Sequence, residues 1–241
     1  MNTESNKNLK RVWILLAIPP ILFFVLIVIS SLYFGFVSRG DAAAIAESVP
    51  RSMPIILLLA QIILLFVLIF TLRKENLTFA DIGWRLQTGQ NFHVEMLLGS
   101  IIGVGLGLLY PPVFSPLVET LQKSVGDYVP PGEIVPALGS YIVPFFIANV
   151  LLAPFVEENI YRGYAITKLR QRYGQGLTLL TTCVFFGLLH WAGGIWYMVL
   201  TGGFLGVILA GLFMWRKNII VPFTLHLALN IVEFIFILQN T

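Results

Sequence analysis

Glu157 and Glu158 with Arg162, then His190, then His226 with Asn230, are polar clusters set into stretches that otherwise have the composition of a membrane interior. Residues 134–156 carry no charged side chain, and 173–215 carry none beyond what His190 takes up. An ionisable group at mid-bilayer costs about 2.5–3.5 kcal/mol on insertion scales, so such groups usually face a cavity and serve a function. Two carboxylates, two imidazoles and an amide are also the groups that activate a water and hold a developing oxyanion. The chain reads as an intramembrane hydrolase.

Spacing divides these residues into roles. Glu158 and Arg162 stand at i and i+4 on one helical face with the acid N-terminal, which favours an ion pair. Glu157 is rotated about 100° from its neighbour and is left free for chemistry. His226 and Asn230 are also i and i+4, so both reach one cavity, and Phe186 and His190 repeat the spacing on another helix. Glu233 extends the His226–Asn230 stripe to i+7, and two readings stay open for it: support of His226 from behind, or snorkelling toward the outer face. Pro154 interrupts the backbone ladder just ahead of the acidic pair. Whether it kinks one helix or begins a new one is open at this level.

The elements that carry these residues are membrane helices. Hydrophobic residues make up 57% of the 241 and charged residues 11%, with a mean hydropathy of +0.86; a soluble domain has roughly 25% charged residues. Apolar spans lie near 12–36, 54–72, 93–111, 137–160, 175–192, 194–215 and 218–239, which gives an all-α polytopic transmembrane bundle of about seven spans. An open sheet is excluded in lipid because its edges would strand backbone groups. The first run is too long for the hydrophobic region of a signal peptide and reads as an uncleaved anchor. Residues 1–76 are expected to form N-terminal anchor spans and 77–241 the catalytic core. The net charge of +3 is small and reflects topology, not nucleic-acid binding. Basic residues concentrate in every second loop, the intervening loops being poorer in cations: Lys7, Lys10 and Arg11; Arg73, Lys74 and Arg85; Lys168, Arg170 and Arg172; Arg216 and Lys217. Asp41, Glu47, Glu119, Asp127 and Glu133 mark the others. This alternation places the N-terminus in the cytoplasm and Thr241 outside. Glycines at 99, 103, 105 and 107, and at 202, 203, 206 and 211, point to close helix packing. The five tryptophans, Trp84 among them, lie near span ends and read as an interfacial belt.

Depth brings the clusters together. Counted from the cytoplasmic boundary at 1.5 Å per residue, Glu157 lies about 16 Å from Lys168, His190 about 21 Å from Gly176, and His226 about 13 Å from Lys217. Three helices thus present polar groups at similar depth.

Glu157 to Arg162 fits EExxxR, Phe186 to His190 fits FxxxH, and His226 to Asn230 fits HxxxN. In that order on successive late helices, they resemble the CPBP family of intramembrane glutamic endopeptidases, which includes CAAX prenyl proteases and bacteriocin-processing or self-immunity proteins. Leu77 to Arg85 is similar to the loop ahead of that family's core. The resemblance covers about 137–239 and hardly touches the first 76 residues. It implies that Glu157 is the general base and that His190 holds and polarises the water. It further implies that His226 and Asn230 donate to the oxyanion, and that Glu158 with Arg162 is structural.

The resulting expectation is a multi-pass protein of a bacterial plasma membrane that cleaves a peptide or membrane-tethered precursor. Its partners are the bilayer and that substrate, with no cofactor. A zinc site built from Glu157, His190 and His226 is disfavoured: there is no HExxH, and Glu158, the spare acid such a site would need as base, is committed to Arg162. The alternative from another class is a non-catalytic bacteriocin-immunity or scaffold membrane protein of the same fold.

Overall fold

Seven apolar runs become seven helices. A computed structural model describes residues 3–129 and 138–239; of the loop residues read above, Glu133 and Thr241 lie outside these. The helices are α1 (Thr3–Val37), α2 (Ala42–Lys74), α3 (Phe92–Val125), α4 (Gly139–Leu169), α5 (Gln175–Leu189), α6 (Ile195–Arg216) and α7 (Ile220–Gln239). All but α5 are long and apolar enough to cross a bilayer. The 15 residues of α5 rise about 22 Å, short of a hydrocarbon core of about 30 Å. It stops at Leu189 because a tight turn over Trp191–Gly193 and Gly194 at φ 98° redirect the chain into α6. The protein is an all-α polytopic membrane bundle, six full spans and one shorter apolar helix against the seven spans expected.

Two boundaries have local causes. α2 begins at Ala42, well ahead of the expected 54, because Asp41 caps it: its carboxylate accepts from Ala43 N at 2.9 Å and Ala44 N at 3.4 Å. A run of three alanines then favours helix. α4 is continuous through Pro154. Wide π-helical turns over Phe146–Leu152 and Glu158–Ile166 flank a short α stretch, Ala153–Glu157, that contains the proline. Such turns absorb a break in the ladder and recur at functional sites.

Glycine sets the closest approaches. On α3, Gly99, Gly103 and Gly107 lie against α7; a Cβ on Gly103 would stand 2.2 Å from the Leu225 carbonyl oxygen, whereas one on Gly105 would meet open space. Small residues four apart let two backbones touch. Between α5 and α6, Gly187 and Gly202 face each other, a Cβ on either meeting backbone within 3 Å. α1 and α2 are part of the same core: Leu15, Leu64 and Leu68 pack with Val156, Tyr161 and Phe186.

The basic helix ends collect at one end of the bundle. Glu75, just past α2, accepts from Arg11 at 3.3 Å, Lys168 at 2.7 Å and the Tyr164 hydroxyl at 2.8 Å. The fully buried Glu95 at the start of α3 pairs with Arg216 and accepts from Asn218 at 2.9 Å. At the other end, Asp127 caps α6 by accepting from Ile195 N at 2.9 Å and Trp196 N at 3.3 Å. Burial opposes its charge, but the amides of Ile195, Trp196, Tyr128 and Val129 outweigh that and hold its carboxyl below the usual range.

Candidate active site

The acidic pair straddles a change of helical pitch. Glu157 ends the α stretch of α4 and Glu158 opens the wide turn that follows. The pair is buried, at 4% and 0% exposure, together with Arg162 (1%), His226 (3%) and Asn230 (5%). His190, at the C-terminal end of α5, is half-buried.

Glu158 is the central node. Its Oε1 accepts from Arg162 Nη1 at 2.9 Å and stands 2.9 Å from His226 Nδ1. The sequence expectation gave it Arg162 alone. Arg162 also donates to the Gly206 carbonyl at 3.3 Å and lies 4.0 Å from the Phe186 ring centroid, a cation–π contact between two buried groups. Phe186, the first residue of FxxxH, is the hub of the site. Its ring is fully buried, with the His190 ring 4.9 Å and the His226 ring 6.0 Å from it, both edge-on. The two imidazoles therefore flank one phenyl ring.

Both imidazole orientations follow from their partners. His190 Nδ1 is 2.8 Å from the Phe186 carbonyl oxygen. A carbonyl only accepts, so Nδ1 carries the hydrogen and the Nε2 of a neutral ring presents a lone pair. His226 Nδ1 faces a carboxylate oxygen, so it too is the donor, and its Nε2 can donate only when the ring is doubly protonated. Asn230 spends one amide hydrogen on the Asn149 carbonyl oxygen at 2.7 Å, which fixes its side chain and leaves the second hydrogen. Tyr197 of α6 adds an edge-on ring 5.9 Å from His190.

Three partners are absent from the sequence reading. Gln61 on α2 donates from Nε2 to Glu157 Oε1 at 2.9 Å. Asn149 supplies the carbonyl that anchors Asn230. Trp84 is not an outward belt residue: its indole N–H donates to Asn159 Oδ1 at 2.7 Å and its ring packs on Phe155 and Phe223. Through it, the loop after α2 is fastened directly beside the acidic pair. Glu233 lies half-buried within electrostatic range of His226, Tyr110 and Tyr197, but the group that holds His226 Nδ1 is Glu158. Among the described residues, no three His, Cys, Asp or Glu side chains are grouped closely enough to hold a metal ion.

Residues 139–232 match the family model described as type II CAAX prenyl endopeptidase Rce1-like. No curated protein and no solved structure matches the chain. The matched segment runs from α4 to the middle of α7 and contains every residue of EExxxR, FxxxH and HxxxN. Residues 139–232 are thus similar to the Rce1-like type II CAAX prenyl endopeptidases, a family of membrane-embedded proteases.

Proposed function

We infer that this protein is an intramembrane glutamic endopeptidase that hydrolyses a peptide bond in a peptide or membrane-tethered precursor. One observation carries the reading: Glu158 Oε1 serves both Arg162 and His226, while Glu157 in the same buried cluster pairs with neither and accepts only from the neutral amide of Gln61, the second oxygen of each carboxylate being without a partner. Two adjacent carboxylates thus have different tasks. Glu157 takes a proton from water, whose oxygen attacks the scissile carbonyl carbon. His190 Nε2 accepts the second water hydrogen and orients the attack. The proton on Glu157 then passes to the leaving amine as the C–N bond breaks.

The oxyanion falls to His226 and Asn230. Glu157, Glu158, Arg162 and His226 form a neutral set when Glu157 is ionised and His226 is an imidazolium, with Glu158 between the two cations. In that state His226 Nε2–H and the free amide hydrogen of Asn230 are both donors, one turn apart on α7. Removal of one such donor costs about 2.7–4 kcal/mol in enzymes where it has been tested. Counted from the basic end, the site lies near mid-bilayer, and the positive-inside rule assigns that basic end to the cytoplasm of a bacterial plasma membrane.

The test is comparative peptidomics of cells expressing the wild-type protein or Glu157→Gln at equal level. Loss of a general base costs about 10²–10⁴-fold, so the products are expected to vanish in the variant while its thermal stability holds and chelators leave wild-type cleavage intact. Identical peptide profiles from the two strains would remove the protease assignment.

A further inference from the structure

Residues 55–70 of α2 contain fifteen apolar side chains and one amide, Gln61. It lies 13 positions from Lys74, about 20 Å along the helix, and Glu157 lies 12 positions from Leu169, about 18 Å. The two meet at that depth: Gln61 Nε2 donates to Glu157 Oε1 at 2.9 Å, and Gln61 is 1% exposed. The amide orientation is dictated by chemistry, since an ionised carboxylate only accepts. The pair is half satisfied. Glu157 Oε2 and Gln61 Oε1 are both buried acceptors without a donor, each a desolvation cost unless a donor reaches it. A water that donates one hydrogen to Glu157 Oε2 supplies what the base lacks, and its second hydrogen is the one that His190 Nε2 receives.

We propose that Gln61 is a positioning residue of the hydrolytic site: it pins Glu157 through Oε1, so that Oε2 alone faces the reacting water. This rests on the reading of Glu157 as the base. It also gives α2, which lies outside the segment that matches the family, a part in the reaction. A glutamine that merely filled space would be replaceable by an apolar side chain of equal length.

The test uses full-length protein in nanodiscs, with an internally quenched, farnesylated CAAX-type peptide as the activity probe. Wild type, Gln61→Met, Gln61→Asn and Glu157→Gln are compared. Gln61→Met keeps the length and removes the donor; Gln61→Asn keeps the amide but is too short to reach. Both are expected to lower kcat about 10- to 100-fold, the worth of one hydrogen bond to a charged group, with KM within about two-fold and cooperative thermal unfolding retained. A second readout needs no substrate. The infrared difference between wild type and Glu157→Gln isolates the Glu157 carboxyl bands, and the same difference taken on the Gln61→Met background is expected to be displaced. Wild-type kcat with undisplaced bands, or parallel loss of stability, kcat and binding in both Gln61 variants, would overturn the proposal. Retained cleavage by Glu157→Gln would instead overturn the underlying base assignment, while the infrared bands still report whether Gln61 governs Glu157.

Discussion

Glu158→Gln is the substitution whose consequences differ most from those of its neighbour. Glu158 is fully buried, and one oxygen serves Arg162 Nη1 and His226 Nδ1, both at 2.9 Å. A glutamine keeps the shape but removes the only carboxylate among the described residues that touches either group. Breaking a buried pair by neutralising one partner costs about 3–5 kcal/mol, because the remaining charge stays desolvated. For a chain of this size that is on the order of 10 °C in Tm. Glu157→Gln removes no ion-pair partner and is expected to leave Tm near wild type, although both variants lose cleavage for different reasons. The assay is thermal unfolding of the purified variants in one detergent, followed by intrinsic tryptophan emission, together with probe hydrolysis. A third protein sharpens it. Glu158→Gln combined with Arg162→Met removes the stranded cation and should recover much of the lost Tm. Activity should stay low, since His226 Nδ1 still lacks its carboxylate. Equal Tm for the Glu157 and Glu158 variants, or recovery of activity in the double variant, would refute this division of labour.

Gly103→Ala should destabilise the protein by about 1–3 kcal/mol, the usual cost of overpacking, and should reduce turnover because the clash with Leu225 displaces the helix that carries His226 and Asn230. Gly105→Ala, facing open space, is the matched control and should behave as wild type in both thermal unfolding and hydrolysis. At the basic end, burial raises the Glu75 carboxyl but hydrogen bonds from Lys168, Tyr164 and Arg11 outweigh it, so the folded value lies below the ordinary 4.5. A depressed value stabilises the fold above pH 4.5, and that contribution is lost as pH falls toward the folded value. The Tm difference between wild type and Glu75→Gln should therefore be full at neutral pH and shrink in the acid range; a difference that grows on acidification would reverse the assignment. Orientation is checked in a Cys183→Ala background, where Gln175→Cys should react with an impermeant maleimide only from the cytoplasm and Lys123→Cys only from outside.

How far the amino-acid sequence discloses this site depends on the distance between partners along the chain. Glu158 with Arg162 is legible because one helical turn joins them, and 3.6 residues per turn fixes their relation whatever surrounds the helix. The apolar runs disclose their helices for a similar reason, since a membrane leaves the backbone few other solutions. Continuity through Pro154 is not legible: the wide turns that absorb the proline are a property of backbone pitch, with no residue pattern of their own. The contacts of Glu158 with His226 and of Gln61 with Glu157 span 68 and 96 positions, and periodicity within a helix says nothing about either.

One signal does point across such distances. A polar side chain at bilayer depth must find a partner, so its presence announces a contact even where its identity is hidden. Read that way, Gln61 in an apolar run of sixteen residues is as informative as the histidines, because both ends of its amide need partners at that depth. Trp84 shows the converse. At a span end an indole reads equally well as a lipid-facing belt residue or as a donor to Asn159, and only the fold chooses between them. The glycines divide by the same reasoning. Gly99, Gly103 and Gly107 recur every fourth residue and form one face, whereas Gly105 falls outside that period and meets open space. The period alone would have sorted them. Local periodicity thus identifies faces, depth identifies which side chains need partners, and the pairing itself comes from helices packed at the spacing those glycines allow.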